Sequence, residues 1–255
     1  MNKLFTTEII KFYNKLLNNE KFAIARYGDG EMIAMRGQTI TSGAGEWNTN
    51  GTDPRYQIAR NYLHESFTFK DDDYYVGIVC PCCQGQQNFM NMVKGSGQDM
   101  DHLTYANLFV NGNYKYFLEN FIPFFKDKEI VLVANEVSKI EALPFSVEFY
   151  PVKYNAWIEN INIIEELKSR NDSNKIYLLA CGPLGKILSY KLWQHNKNNT
   201  YLDVGSTLHP WLESDKNIRG YYGAFDDFFK KKVTNYPSHV IKQYSDKICI
   251  WGNYE

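Results

Sequence analysis

Apolar residues recur along this chain with two alternating periods, and the alternation predicts its secondary structure. Ile9, Tyr13 and Leu16 share the spacing of one helix face, so residues 7–18 are predicted to form a helix. The continuous apolar run at 22–25 has the length of a buried strand. A helix therefore precedes the first predicted strand.

The same alternation continues to the end of the chain. Apolar residues at helical spacing predict further helices at 114–125, 157–167 and 184–195. Short apolar runs predict further strands at 74–80, 129–134, 146–152, 176–180, 201–204 and 247–251. Because strands that alternate with helices favour a parallel sheet, we expect an α/β fold. The expected architecture is a single Rossmann-like domain over residues 1–255, with a mainly parallel sheet flanked by helices.

One segment shows neither period. Residues 37–54 are rich in Gly, Thr, Asn and Ser and are predicted to form a long loop. Long loops in compact domains often carry function. This loop directly follows the most informative motif of the chain, so we expect the two to belong to one site.

That motif is the sequence Arg-Tyr-Gly-Asp-Gly-Glu, at the end of the first predicted strand. Gly28 and Gly30 allow positive φ and the close approach of a ligand. Asp29 and Glu31 supply the hard oxygen ligands that Mg²⁺ or Mn²⁺ prefers, and Arg26 offers a planar fork to a phosphate. The motif is thus a candidate metal and phosphate site; the alternative is a solvated polar turn, since Asp-Gly pairs are common in hairpins.

A second glycine turn follows the strand predicted at 176–180. Gly182 and Gly185 would let the backbone approach an anion at the start of the next helix, where Lys186 also lies. Asp203 comes 21 positions after Gly182, where an acid commonly binds ribose hydroxyls in dinucleotide-binding folds. A complete Gly-x-Gly-x-x-Gly is missing, so a structural strand-to-helix turn is the alternative.

Small and polar residues follow Asp203. Gly205 and Ser206 are predicted at the carboxyl edge of the sheet, where ligands of open α/β sheets bind. His209 is a conceivable base, although a single histidine is often an ordinary surface or core residue. The segment 219–223 offers a cation and aromatic rings to a phosphate or sugar, or forms an ordinary loop.

Composition narrows the classes of function. With 28 Lys and Arg against 29 Asp and Glu, the net charge of −1 removes any bulk electrostatic argument for nucleic-acid binding. No run approaches the ~18 apolar residues of a membrane-spanning helix, and we expect a cytoplasmic protein. An odd number of cysteines without paired spacing predicts reduced structural thiols; they are Cys80, Cys82, Cys83, Cys181 and Cys249.

Together the two glycine turns resemble the GT-D class of bacterial glycosyltransferases. The pattern of that class begins with an Arg-aromatic-Gly-Asp-Gly-Glu turn, like residues 26–31 here. It continues with a strand, a Gly-Pro turn, a helix, and a strand ending in Asp-hydrophobic-Gly, like residues 182–183 and 203–205. The resemblance implies that Asp29 and Glu31 bind a divalent metal and the diphosphate of a nucleotide sugar.

The sequence departs from this class at one point. In the class pattern a histidine follows the glycine of the Asp-hydrophobic-Gly element, and an acidic residue lies two positions beyond that histidine. This chain has Ser206 and Leu208 at those two positions. The catalytic base is therefore open, with Asp203 and His209 as candidates by position. Of the two roles for Asp203, we favour binding a hydroxyl of the donor over acting as the base.

The sequence thus predicts a metal-dependent hexosyltransferase of bacterial polysaccharide biosynthesis. It would use Mn²⁺ or Mg²⁺ to move a sugar from a nucleotide sugar, with UDP-sugars favoured, to a glycan or glycoconjugate acceptor. The alternatives are a Rossmann-type enzyme of NAD or S-adenosylmethionine, which leaves the acidic turn unexplained, and a non-catalytic nucleotide- or carbohydrate-binding domain. The predicted catalytic residues are Asp29, Glu31 and Asp203, and the predicted donor-binding residues are Arg26, Gly28, Gly30, Gly182, Gly185, Lys186, Asp203, Gly205 and Ser206.

Overall fold

Seven parallel strands form the central sheet of the protein. The computed structural model describes residues 5–41 and 47–213. The sheet strands are β1 (Ala23–Arg26), β4 (Tyr74–Ile78), β5 (Leu103–Tyr105), β6 (Ile130–Asn135), β7 (Glu148–Val152), β8 (Ile176–Ala180) and β9 (Thr200–Asp203), and a separate small hairpin comprises β2 (Ile40–Thr41) and β3 (Asn48–Thr49).

Helices flank the sheet. The longer ones are α1 (Phe5–Leu17), α2 (Asp29–Met35), α3 (Pro54–Thr68), α5 (Gln86–Ser96), α9 (Ile163–Lys168) and α10 (Pro183–His195). The short ones are α4 (Pro81–Gln84), α6 (Tyr114–Tyr116), α7 (Ile122–Phe125), α8 (Ala156–Glu159) and α11 (His209–Leu212). A π-helical turn at Phe117–Phe121 joins α6 to α7, and 3₁₀ turns occur at Met100–His102, Asn111–Asn113, Ile140–Ala142 and Gly205–Leu208.

The strand order is β5-β4-β1-β9-β8-β6-β7, and every neighbouring pair is parallel. From β1 the chain builds β4 and β5 on one side, and it then crosses to build β6 to β9 on the other. The order therefore reverses beside β1, where β9 is its neighbour. Ligands of such sheets bind outside the carboxyl ends of the strands at this reversal.

The α/β fold predicted from the alternating pattern is confirmed. The central strands β1, β4 and β9 are buried along their whole length, as expected for parallel strands that are covered on both faces. Helix α10 covers the sheet at the reversal, and the Ser189 hydroxyl on this helix donates a 3.0 Å hydrogen bond to the carbonyl of Ile24 in β1. This contact joins α10, which follows the second glycine turn, to β1, which precedes the first.

Two predicted helices differ in detail. Residues 114–125 are helical throughout but include the π-helical turn. The helix predicted over 157–167 is divided into α8 and α9, because the Asn160 side chain accepts a 2.8 Å hydrogen bond from the backbone N–H of Lys153. Asparagine side chains that bond to the backbone in this way compete with helix propagation.

Several elements were not predicted from the sequence, among them helices α3 and α5 and strand β5. Helix α3 lacks a clear apolar period, and it buries the polar residues Arg60 and Ser66. The signal for α3 was its start: Asp53 caps the helix by accepting a 2.9 Å hydrogen bond from the backbone N–H of Arg55, and Pro54 follows the cap. The predicted long loop therefore ends at this cap and contains the β2-β3 hairpin.

Several predictions fall outside the described residues. They are the strand at 247–251, the segment at 219–223 and Cys249. Within the part of the chain that the structure describes, no helix has the length and apolar character needed to cross a membrane.

Candidate active site

A cavity of about 760 Å³ opens along the carboxyl edge of the sheet. All seven strands of the sheet contribute to its wall at or just after their carboxyl ends. The contributing residues include Arg26, Val79, Ala106, Asn135, Val152, Ala180 and Gly205. This is the position that the parallel topology predicts for a ligand site.

The acidic motif forms the first turn of α2 rather than a free loop. Gly28 is the N-cap residue, and its backbone N–H donates a 2.9 Å hydrogen bond to Oε2 of Glu31. Glu31 is thus part of the helix cap and is buried. Asp29 is exposed and lines the cavity, and its Oδ1 accepts a 2.9 Å hydrogen bond from the backbone N–H of Gly30. The two carboxylates therefore have different environments.

Lys186 connects the two glycine turns. Its ammonium lies 3.0 Å from Oε1 of Glu31 and 3.3 Å from Oδ2 of Asp203, and it donates a 3.1 Å hydrogen bond to the carbonyl of Gly182. Burial favours the neutral form of Glu31, but the charge and hydrogen bond of Lys186 outweigh it and hold the pKa of Glu31 below its ordinary value. Burial likewise opposes the charge of Lys186, yet the two carboxylates raise its pKa. Glu31 and Lys186 therefore each favour the charged form of the other.

Arg26 is held rigidly at the end of β1. Its Nε donates a 2.5 Å hydrogen bond to the backbone carbonyl of Asp203, and its Nη1 donates a 2.9 Å hydrogen bond to the carbonyl of Ala106. A Cβ atom at Gly205 would lie only 2.6 Å from Nη2 of Arg26, so the guanidinium passes where a side chain would stand. Gly205 has a φ of +49°, which also favours glycine. Arg26 therefore lines the cavity in a preset orientation.

The structure corrects the predicted role of Asp203. Its side chain is fully buried and does not line the cavity, and its Oδ2 accepts a 2.8 Å hydrogen bond from the backbone N–H of Arg26. Gly185 on α10 lies directly over it, because a Cβ atom there would be 3.4 Å from Oδ1 of Asp203. Both residues thus lie beneath the cavity wall rather than on its surface. Asp203 instead supports Arg26 and Lys186.

Trp47 is a residue that the sequence analysis missed. Its indole packs between the two glycine turns: a Cβ atom at Gly30 would lie 2.9 Å from the ring, and one at Gly182 would lie 3.0 Å from it. Gly182 also has a φ of +59°. These two glycines therefore make room for the indole, which also lines the cavity. The signal was a single tryptophan in a Gly-rich loop that follows the acidic motif.

The remaining predicted residues and several unpredicted ones also line the cavity. Gly28 and Ser206 do so as expected, while Cys181 carries a thiol whose pKa is raised by burial and by the charge of Asp203. Among the described lining residues, four are basic and three are acidic. They are Arg26, Lys139, Lys153 and Lys186 against Asp29, Glu31 and Glu213. The wall therefore has little net charge with which to hold a diphosphate by itself.

Of the two residues predicted to bind a divalent metal, Asp29 and Glu31, only Asp29 is placed to do so. Over residues 5–41 and 47–213, no three His, Cys, Asp or Glu side chains converge as a metal site. Both oxygens of Glu31 are engaged, by Lys186 and by the backbone N–H of Gly28, so Glu31 does not fit as a direct ligand in this conformation. Asp29 does fit, because Mg²⁺ is commonly held by one or two carboxylates together with substrate phosphates.

Comparisons with known proteins show which solved structures share this fold. No protein-family model and no curated protein matches the sequence. Among solved structures, the chain is similar to a domain of unknown function 1792 described as having a distinct glycosyltransferase fold, with a TM-score of 0.59 and 15% identity over 94% of this chain and 87% of that one. It is also similar to a new glycosyltransferase (DUF1792) from Streptococcus sanguinis, with a TM-score of 0.57 and 17% identity over 92% of this chain and 91% of that one. The chain thus has the glycosyltransferase fold of these structures, which confirms the fold implied by the GT-D resemblance.

Proposed function

We propose that this protein is a glycosyltransferase that moves a sugar from a nucleotide sugar to a glycan or glycoconjugate acceptor. The observation that carries the proposal is the convergence of Arg26, Lys186 and Asp29 on one cavity at the carboxyl edge of a glycosyltransferase-fold sheet. A diphosphate needs fixed cations, and a transferred sugar needs an enclosed space. The cavity supplies both.

The diphosphate end of the donor would lie against Arg26. The guanidinium is anchored through its Nε and Nη1, so it is positioned before the donor arrives. Charge that develops on the leaving diphosphate is best stabilised by groups that do not need to reorganise during the reaction. Arg26 meets that requirement because the backbone carbonyls of Asp203 and Ala106 hold its guanidinium. Lys186 meets it because the buried carboxylates of Glu31 and Asp203 hold its ammonium.

A divalent metal, Mn²⁺ or Mg²⁺, would be held by Asp29 together with the diphosphate. When bound, such an ion supplies additional positive charge that neutralises the leaving group. The balanced charges of the cavity wall support this proposal, since a nucleoside diphosphate adds negative charge that the protein alone does not offset. Glu31 would act by holding Lys186 and the start of α2 rather than by binding the ion.

The direct test is release of nucleoside diphosphate from UDP-, GDP- and ADP-sugars and of CMP from a CMP-sugar, with water or added glycans as acceptors, in Mn²⁺ and in EDTA. We expect metal-dependent release with at least one donor, UDP-sugars being the first to examine. Asp29→Asn should lower turnover by at least about tenfold, because one group of the charged site is lost, while the melting temperature stays unchanged for an exposed side chain.

Asp127→Asn is the matched control, since Asp127 is an exposed aspartate outside the cavity. It should retain full activity. Donor binding without turnover under every condition would indicate a non-catalytic binding domain. Turnover that is the same in EDTA as in Mn²⁺ would refute the metal, and full metal-dependent activity of Asp29→Asn would refute Asp29 as its ligand.

A further inference from the structure

Trp47 is the aromatic residue of the cavity wall. The chain contains 5 Trp, 19 Tyr and 16 Phe, yet Trp47 is the one Trp, Tyr or Phe side chain among the described residues that line the cavity. It is half-buried and packs against the hydrophobic core. A large apolar ring left partly open in a polar cavity has surface that a ligand can cover.

Two glycines make room for the indole at its opposite ends. A Cβ atom at Gly30 would lie 2.9 Å from Cζ2 of Trp47, at the benzene end of the ring system. A Cβ atom at Gly182 would lie 3.0 Å from Cδ1, at the pyrrole end. The indole therefore spans both glycine turns, and a side chain at either glycine would displace it.

The backbone next to Trp47 is held by a buried network. The fully buried indole of Trp157 lies nearly perpendicular to that of Trp47, with the ring centroids 6.1 Å apart. Nε1 of Trp157 donates a 3.0 Å hydrogen bond to the carbonyl of Asn48. The backbone N–H of Asn48 donates a 3.1 Å hydrogen bond to Oδ1 of Asn155, at the start of α8. Trp47 is therefore positioned before a ligand arrives.

Trp47 lies beside the groups proposed to hold the diphosphate. Gly30 directly follows Asp29, the proposed metal ligand, and the carbonyl of Gly182 accepts the 3.1 Å hydrogen bond from the ammonium of Lys186. The hexose of a nucleotide sugar is bonded directly to the diphosphate, whereas the ribose separates the nucleobase from it. An aromatic ring next to the diphosphate position is therefore better placed for the hexose than for the nucleobase.

We propose that Trp47 binds the hexose ring of the donor by stacking on it, an inference that rests on the proposed glycosyltransferase function. A pyranose ring with equatorial hydroxyls has a face of C–H groups. These apolar, weakly positive hydrogens pack well on the negative face of an indole. Trp47 is thus a specificity-determining residue, because the stack distinguishes the nucleotide sugar from the nucleoside diphosphate that the reaction releases.

Three matched pairs of ligands test this assignment: UDP with UDP-glucose, GDP with GDP-glucose, and ADP with ADP-glucose, titrated by calorimetry in Mn²⁺. Trp47→Leu should raise the Kd of the sugar nucleotide by about tenfold, because about 50 Å² of apolar surface loses its aromatic cover. The Kd of the parent nucleoside diphosphate should stay within about twofold. Trp47→Phe keeps an aromatic face and should restore most of the affinity for the sugar nucleotide.

Tyr62→Leu is the matched control. Tyr62 is also a half-buried aromatic residue, but it lies outside the cavity, with Nζ of Lys191 4.3 Å from its ring centroid. This variant should leave both Kd values unchanged. Unchanged binding of the sugar nucleotide by Trp47→Leu would overturn the assignment. An equal loss for the sugar nucleotide and its parent diphosphate would also overturn it, in favour of a contact with the nucleoside.

Tryptophan fluorescence keeps the test decisive if Trp47→Leu does not fold. The sugar nucleotide should protect part of the wild-type emission from acrylamide quenching more than its parent diphosphate does, and Trp47→Phe should remove this difference. Equal protection by the two ligands, or wild-type protein that binds only the nucleoside diphosphates, would overturn the assignment. Wild-type protein that binds none of these ligands would instead overturn the proposed function itself, and the assignment with it.

Discussion

Two clusters of ion pairs stand at opposite edges of the same sheet and use the same residue types. The carboxyl-edge cluster consists of Arg26, Lys186, Glu31 and Asp203. Its side chains are between 0% and 11% exposed, and it supports the wall of the cavity. This cluster joins the ends of β1 and β9 to the first turns of α2 and α10.

The amino-edge cluster consists of Arg170, Glu148, Asp172 and Lys175. Arg170 lies 2.6 Å from Glu148 and 2.5 Å from Asp172, and Lys175 lies 3.2 Å and 3.3 Å from the same two carboxylates. Its side chains are 12% to 45% exposed, and none of them lines the cavity. The four charged groups form ion pairs with one another, and their side chains remain partly accessible to solvent.

The difference between the clusters is the cost of desolvation. Ion pairs with access to water gain and lose little, so the amino-edge cluster is an ordinary feature of a sheet edge. Charges removed from water are costly unless they are closely paired, and a fold alone gains little from keeping them. The carboxyl-edge cluster therefore indicates a functional site. Its charges are kept in spite of their desolvation cost, and two of them, Arg26 and Lys186, line the cavity.

The largest difference is expected when the same substitution is made in both clusters. Asp203→Asn leaves Lys186 buried with a single carboxylate, and we expect the free energy of unfolding to fall by about 3 kcal/mol. Asp172→Asn should lower it by about 1 kcal/mol or less, because water compensates the remaining charges. Urea unfolding of the two variants measures both values. Equal losses would show that burial does not separate the clusters.

A smaller effect is expected at the glycine beside Lys186. Gly182→Ala places a Cβ atom at positive φ and 3.0 Å from Trp47, whereas Gly85→Ala has a φ of +82° and no other atom within 4 Å. Both substitutions carry backbone strain of about 1–3 kcal/mol. The Gly182 variant should lose about 1 kcal/mol more, and its tryptophan fluorescence should change. If both variants lose the same stability, Trp47 does not pack against Gly182 in solution.

The smallest effect is expected at Arg170. Its hydrogen bonds hold the pKa of Glu148 below its ordinary value of 4.5, and they outweigh burial to hold the pKa of Asp172 below 3.8. Such carboxylates add stability that is complete above their unfolded-state values and is lost as the pH falls through the folded-state values. Arg170→Gln should thus lower stability at pH 7 by about 1 kcal/mol or less.

The difference in stability between Arg170→Gln and the wild type should shrink as the pH falls below about 4, and the proposed glycosyl transfer should be unchanged. Urea unfolding at pH 7, 5 and 3.5 measures the trend. A difference that grows on acidification, or a loss of activity at neutral pH, would contradict the view that this cluster is purely structural.

Much of the fold could be predicted because buried parallel strands are continuous apolar runs. Strand β8 was predicted with its observed bounds, and the predicted start of α10 differs by one residue. Helix α3 was missed because its buried face carries Arg60 and Ser66, so tertiary packing overrides the apolar period. In the same way, Asn160 interrupts a predicted helix through a bond to Lys153 that only folding creates.

The sequence by itself determined the α/β alternation and the positions of two glycine turns at strand ends, because local periodicity and glycine chemistry do not depend on distant residues. Only the tertiary structure decided which polar side chains face the cavity. Asp29 and Glu31 are two positions apart, yet one is exposed and the other is buried against Lys186. Asp203 lies beneath the wall because Gly185 of α10 covers it. Burial depends on residues brought together from remote parts of the chain, and burial is what separates a ligand-contacting charge from a supporting one.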